Sequence, residues 1–306
     1  MNLGVRATQL TATKYSYAGL FLVTQATLMY EILLTRIFSV TMWYHFAFMA
    51  ISIAMFGMTA GAVLVYFFPD YFKAERTNQH LGLFSLLFAI TTVVSFFIDL
   101  RIPFITSDQL RIVSFTYLIT AIPFVFSGIC VSLALTKFPL QLSKLYAADL
   151  AGAAFGCVAL IFSLRVTDGP TTVLNLTLLA ALASVLFLMD VSSRALLKLS
   201  FACCILLAAF TVVQYGSDLM KVQWAKGVVE GKPLYEEWNS YSRVRVVEDS
   251  GPQRIFGWGL SPTLSTAQTV KELKLDIDAG AATVLTQFHG DLTILNFLRY
   301  GVTNIV

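Results

Sequence analysis

Residues 43–68 read WYHFAFMAISIAMFGMTAGAVLVYFF, without one Asp, Glu, Lys or Arg. About 20 apolar residues are enough to cross the hydrocarbon of a bilayer. This stretch therefore decides the fold: it is a membrane span. Working outward, six more stretches of similar character appear, at 17–40, 81–100, 112–135, 146–164, 172–189 and 196–215. The whole chain is 57% hydrophobic and 13% charged, against about 25% charged in a soluble domain. Aromatic residues mark span edges: Trp43 and Tyr44 lie in the first tight connection, and residues 66–72 close the second span, as interfacial belts do. Pro123 predicts a kink in the fourth span. The sixth and seventh stretches are short and joined by residues 190–194, so they read either as a hairpin of full spans or as one broken region.

Charge in the connections sets a direction. Arg6 and Lys14 precede the first span, Lys73 and Arg76 follow the second, Lys137 and Lys144 follow the fourth, and Arg194 and Lys198 flank the last connection. The alternate connections carry only Arg101, Arg111 and Arg165. Lys and Arg concentrate on the cytoplasmic side, which predicts a cytoplasmic N-terminus. The first apolar stretch is longer than a signal-peptide core, so it reads as an uncleaved span. Seven crossings then put everything after Tyr215 outside, and six or eight put it inside. The net charge of +3 is small and dispersed, which excludes a nucleic-acid surface. Cys130, Cys157, Cys203 and Cys204 all fall in apolar stretches without metal-ligand spacing and read as small helix residues.

Within the spans, small and charged residues stand out. Residues 146–157, YAADLAGAAFGC, combine Asp149 with a Gly152-x-x-x-Gly156 pair, and the second span holds Gly57-x-x-x-Gly61. That spacing lets two helix backbones touch in lipid. The echo between the two pairs, and the similar lengths of spans one to three and four to six, predict a three-plus-three repeat of inverted sense, a transporter habit. Glu31 and Arg36 lie in the first span, about 140° apart around the helix, with Arg36 near enough to the end to snorkel. Ionisable groups inside a membrane are functional candidates by default. The plainer alternative makes Glu31 and Asp149 structural partners of groups on other helices. Arg165 and Asp168 read as a loop pair, and His45 as an interfacial group.

After Tyr215 the composition changes. Residues 216–233 are polar and mixed and read as a juxtamembrane linker. Residues 243–248, RVRVVE, alternate with period two and predict a strand, Asp249 to Pro252 is turn chemistry, and residues 254–258 read as a hairpin partner. Residues 273–278, LKLDID, alternate again and end at a turn, Ala279-Gly280. Asp291 then caps a helix through Tyr300, with Ile294, Leu295 and Leu298 on one face and Gly301 as its stop.

Several of these residues, taken in order, resemble a known family. Glu31-x-x-x-x-Arg36, Tyr146-x-x-Asp149-x-x-Gly152-x-x-x-Gly156, Trp238-Asn239-Ser240-Tyr241-Ser242-Arg243-Val244, Gly257-Trp258 and Asp276-Ile-Asp278-Ala-Gly280 are similar to the polytopic spermidine-synthase-like proteins of bacteria. The resemblance covers almost all of the chain. It implies a multi-span block ahead of a β-stranded module and an S-adenosylmethionine-type Rossmann domain, with Trp238, Asn239, Ser242, Arg243, Asp276 and Asp278 as family-motif residues. Aminopropyl transfer needs a Gly-rich turn for the nucleoside, an acid on the ribose and an aspartate for the amine proton. The chain has no Gly-x-Gly-x-x-Gly loop after a strand. Residues 287–291, QFHGD, stand where the soluble enzymes have a Gln and a Tyr-His-Glu segment.

The expected architecture is mainly α: a polytopic helical bundle of about seven spans over 1–215, a linker at 216–233, and a small β-rich extramembrane module with a terminal helix at 234–306, ending where a Rossmann domain would begin. The expected function is the membrane and β-hairpin portion of an aminopropyltransferase-type enzyme, not catalytically competent alone. Its cofactor, decarboxylated S-adenosylmethionine or S-adenosylmethionine, belongs to the intact protein, and none is assigned to this chain. Expected partners are membrane lipid, a polyamine, and a second copy or a separate catalytic subunit. Two other classes stay open: a polyamine or small-cation transporter without enzyme activity, and a membrane scaffold whose Gly-x-x-x-Gly faces recruit other subunits.

Overall fold

The computed structural model describes residues 11–103, 108–191, 193–217, 219–248, 253–255, 259–264 and 269–302. The chain folds as two compact units, Met1–Val228 and Val229–Val306. Among the described residues the first holds seven helices long and apolar enough to cross a membrane. They are α1 (Lys14–Thr41), α2 (Ala47–Phe67), α3 (Thr77–Asp99), α4 (Gln109–Lys137), α5 (Leu142–Val166), α6 (Gly169–Leu188) and α7 (Arg194–Tyr215). The sixth and seventh stretches are therefore two full helices joined by a short turn. α4 runs on through Pro123.

Helix starts follow local chemistry. Thr13 caps α1, its hydroxyl accepting from the Ser16 amide while Ser16 returns a bond to the Thr13 amide. That reciprocal pair satisfies two amides that a helix start leaves bare. Asp168 caps α6 by accepting from the Thr171 amide at 2.7 Å, with Pro170 in the first turn. Arg165 lies over the Phe162 ring instead, so the predicted loop pair of Arg165 and Asp168 is a helix cap and a separate cation–π contact.

α1 lies at the centre, against α2, α4, α5 and α6. Its Leu20, Val23, Ala26, Tyr30, Leu33 and Ile37 are buried. The outer helices carry large apolar side chains on their free faces, such as Phe48 and Phe56 on α2, Phe155 and Phe162 on α5, and Ile205 and Leu206 on α7. Such surfaces are rare against water and suit acyl chains. Among helices in lipid the drive to associate is close packing and hydrogen bonding rather than apolar burial, so the contacts at small residues carry the assembly.

Those contacts follow a pattern. A Cβ at Gly57 would strike Phe124 Cβ and the Ala121 carbonyl, and one at Gly61 the Val125 carbonyl. On the other side, a Cβ at Gly152 would strike the Phe21 carbonyl and Thr24 Oγ1, and one at Gly156 the Gln25 carbonyl. So Gly57 and Gly61 seat α2 on α4, and Gly152 and Gly156 seat α5 on α1. The partner sets Phe21, Thr24, Gln25 and Ala121, Phe124, Val125 differ by the same 100 positions that separate Thr27 from Ser127. Between α3 and α6 the bonds are reciprocal: Ser85 Oγ donates to the Ala180 carbonyl at 2.7 Å, and Ser184 Oγ to the Gly82 carbonyl at 2.6 Å. α1 and α4 cross antiparallel, since Thr27 meets Ser127 while Tyr30 stacks on Phe124. Exchanging α1 with α4, α2 with α5 and α3 with α6 thus preserves the packing. This is an inverted repeat in which each half packs its second and third helices on the first helix of the other. α7 stands outside it, held to α6 by Ser200 Oγ at 2.8 Å from Ser184 Oγ. Gly57, Gly61, Gly152 and Gly156 all pack against helices of the same chain.

The second unit is built on a four-stranded antiparallel sheet in chain order: β1 (Tyr235–Trp238), β2 (Arg243–Glu248), β3 (Glu272–Ile277) and β4 (Ala281–Thr286). β2 lies between β1 and β3, with Arg245 opposite Asp276. Gln253–Arg254 pairs with Thr269–Val270, and the rest of the expected hairpin partner, residues 256–258 with Gly257-Trp258, lies outside the described residues. The predicted terminal helix is a 3₁₀ helix, Leu292–Tyr300, capped by Asp291, and its buried side chain is Phe297 rather than Leu298.

Candidate functional site

The charged residues singled out in the spans are not brought together. Glu31 is half-buried on α1 and makes no hydrogen bond or ion pair among the described residues. Arg36, also half-buried, lies further along the same helix. Asp149 sits on α5 level with Thr24, whose hydroxyl donates to the Asp149 carbonyl at 3.0 Å. From Thr24 to Glu31 is about 10 Å along the helix axis.

A different group of polar side chains converges in the first unit. Thr92, Ser95 and Asp99 follow one face of α3 and are buried, as are Thr116 and Thr120 on α4 and Tyr30 on α1. Asp99, 7% exposed, lines a small pocket with Thr41, Met42, Ile102, Ile112 and Thr116. Asp99 Oδ2, Thr116 Oγ1, Thr120 Oγ1 and the Tyr30 hydroxyl make no hydrogen bond of ordinary geometry among the described residues, although Thr116 lies close to the Asp99 carboxyl and Ser95 close to the Tyr30 hydroxyl. Buried polar groups in proteins are nearly always paired, and an ionised carboxylate out of water is costly unless compensated. Four such poorly satisfied polar groups in one region of a span bundle mark it as the first candidate site. Thr92 spends its hydroxyl on the Phe88 carbonyl at 2.7 Å and Ser95 on the Thr92 carbonyl at 3.2 Å, so neither donates to the acid.

The second unit holds a network of opposite charges. Arg243 Nη1 donates to Glu230 Oε2 at 2.7 Å and Arg243 Nε to Glu236 Oε1 at 2.8 Å. Arg245 Nη1 donates to Glu230 Oε1 at 2.5 Å and its Nη2 to the Gly231 carbonyl at 2.9 Å. Asp276 Oδ2 lies 3.9 Å from Arg245. Trp238 Nε1 donates to Glu236 at 3.0 Å, and the Arg243 guanidinium sits over the Trp238 ring. On β2 the buried side chains are thus Arg243 and Arg245, with Val244 and Val246 half-exposed. Burial would push the Glu236 carboxyl up, but the hydrogen bond and charge of Arg243 outweigh it and hold it below its usual range. Burial works against the charge of Arg243, and its two carboxylates more than reverse that.

The remaining motif residues shape turns. Asn239 Oδ1 accepts from the Tyr241 and Ser242 amides, both at 2.8 Å, closing the β1–β2 hairpin. Asp278 Oδ1 accepts from the Arg243 amide at 2.8 Å, and Asp278 and Ala279 take φ of 50° and 49°. Trp238, Arg243 and Asp276 therefore belong to the charge network, and Asn239, Ser242 and Asp278 to the turns that frame it.

Sequence reading missed Asp99 and Glu230. The signal for Asp99 was the spacing of Thr92, Ser95 and Asp99, which share one helix face. Glu230 stands in the stretch read as linker, with no periodic pattern to draw it into the sheet. No group of three or more His, Cys, Asp or Glu suited to a metal ion occurs among the described residues. Comparison with protein-family models, characterised proteins and solved structures finds no match. What the fold defines is a class: a polytopic membrane protein with seven candidate spans, followed by a small antiparallel β region.

Proposed function

We propose that the helical unit is a transport domain for a small cation, polyamine-type amines first among them, within a spermidine-synthase-like protein of the bacterial inner membrane. The observation that carries this reading is the inverted repeat. Two halves of opposite sense with equivalent contacts can exchange conformations across the membrane, which is the basis of alternating access. A polyamine is drawn to acidic groups in a low-dielectric path, and Glu31, Asp149 and Asp99 are acids of that kind. The basic connections favour a cytoplasmic N-terminus. The test is uptake of labelled spermidine and putrescine into vesicles containing the purified full chain. Gradient-dependent uptake that falls at least about tenfold in Glu31→Gln or Asp99→Asn supports the reading. Uptake no greater than in empty vesicles overturns it.

A second reading has its own support in the ordered motifs of the family resemblance, from Trp238 to Gly280. Here the chain is the membrane and β-hairpin portion of an aminopropyltransferase-type enzyme that uses an S-adenosyl cofactor. Seven crossings with a cytoplasmic N-terminus weigh against it, because the β region then lies on the side without the cytoplasmic cofactor pool. Binding of S-adenosylmethionine or its decarboxylated form by the protein isolated from its native membrane would favour this reading over transport alone.

A further inference from the structure

We infer that the pocket at the far ends of α1 and α3 is a binding site for a small monovalent cation, an alkali ion or a primary ammonium group. Its centre is Asp99. This carboxylate is more than nine-tenths buried, lines the pocket, and makes no hydrogen bond of ordinary geometry through Oδ2 among the described residues. The nearby arginines are engaged elsewhere: the Arg101 guanidinium lies over the Phe97 ring at 4.7 Å, and Arg111 reaches Asp108 at 4.0 Å. A buried carboxylate in that position is neutralised either by a proton or by a bound cation.

The surroundings favour a cation as the neutralising group. Thr116 Oγ1, which lies close to the Asp99 carboxyl and makes no hydrogen bond of ordinary geometry among the described residues, is on the same wall, and Thr41 adds another hydroxyl. Carboxylate and hydroxyl oxygens are the ligands that hard cations take. α1 ends at Thr41 and α3 at Asp99, so two helix C-termini, each carrying about half a negative charge, meet at the pocket. α4 begins nearby and opposes them with one N-terminus. Met42, Ile102 and Ile112 close the remaining walls with apolar atoms, which leaves room for a bare ion or the head of an amine and excludes a bulky quaternary group. The site has no twin in the other half of the repeat, because α6, the counterpart of α3, stops at Leu188. The inference concerns binding at equilibrium and stands whether or not the protein transports anything.

The test is the melting of the purified full chain in lipid nanodiscs, titrated with NaCl, KCl or putrescine against choline chloride at constant ionic strength. A ligand that binds only the folded state raises Tm in a saturable way. The expected result is a rise of a few degrees with an alkali ion or with putrescine, and none with choline. The arms that respond tell an inorganic ion from an amine. Asp99→Asn should abolish the rise, and Thr116→Val should weaken the apparent affinity about tenfold. Identical melting of the wild type in all four cations overturns the proposal without any variant, and so does a shift that survives in Asp99→Asn.

Discussion

Thr27 on α1 and Ser127 on α4, 100 positions apart, share a hydrogen bond of 2.5 Å at the crossing of the two helices. The Thr27 hydroxyl donates its hydrogen bond to the Val23 carbonyl at 2.7 Å, so Ser127 is the donor between them. The two residues are equivalent under the repeat and lie where its halves meet. Interhelical hydrogen bonds of this kind contribute about 0.6 kcal/mol on average. A double-mutant cycle with Thr27→Val and Ser127→Ala should return a coupling of about that size. Coupling indistinguishable from zero would mean the bond is not made.

The glycine contacts leave no room for a side chain. Gly152→Leu and Gly61→Leu must push α5 off α1 and α2 off α4, and should lower stability by about 3 kcal/mol or prevent folding. Gly231, with nothing within 4 Å of an added Cβ, is the control and should accept leucine. Melting in detergent measures all three. Equal effects at Gly61 and Gly152 are expected, since they play the same part in the two halves.

Glu230 binds Arg243 and Arg245 at once. Removing one partner of a buried charge set leaves the others uncompensated and costs about 3 to 5 kcal/mol. Glu230→Leu should therefore destabilise the β unit far more than Glu236→Gln, whose carboxylate is partly reached by solvent. Hydrogen exchange of the β2 and β3 amides would read the difference.

Acid should loosen the same unit. The Glu236 carboxyl is held below its usual value in the folded state, so its contribution is complete above about pH 4.5 and fades as pH falls through the lowered value. Trp238 packs against this group and its fluorescence reports the change. Stability should be flat between about pH 6 and pH 8 and decline below about pH 4.5, with the acid limb shallower in Glu236→Gln.

Ala279 occupies the left-handed region at φ 49°, where a Cβ is unfavourable by about 1 kcal/mol. Ala279→Gly relieves that and returns some entropy to the unfolded chain. A net gain of about 0.5 kcal/mol is expected. Lower stability in Ala279→Gly would show that the methyl packs.

The membrane part of this fold is legible because lipid imposes a long apolar run on every span, and the Gly57 and Gly152 pairs announce where backbones meet. What those glycines touch is not legible: the same spacing serves contacts within a chain and between chains. Asp99 escaped notice because it sits at a span end, where an acid normally reaches water, and only the fold buries it against Thr116. In the β unit the alternation of residues 243–248 shows a strand but not its inner face. The valines suggest one face, and Glu230 and Glu236 draw the arginines of the other inward.

The arrangement of seven crossings with an inverted repeat is tested most directly by side-specific labelling. Single cysteines at Lys73, Lys144, Arg165 and Lys232, with the four native cysteines replaced, would be exposed to a membrane-impermeant thiol reagent in sealed, oriented vesicles. The account predicts that Arg165→Cys and Lys232→Cys label from one side and Lys73→Cys and Lys144→Cys only from the other. Labelling of Lys232→Cys together with Lys73→Cys would mean an even number of crossings and would contradict it.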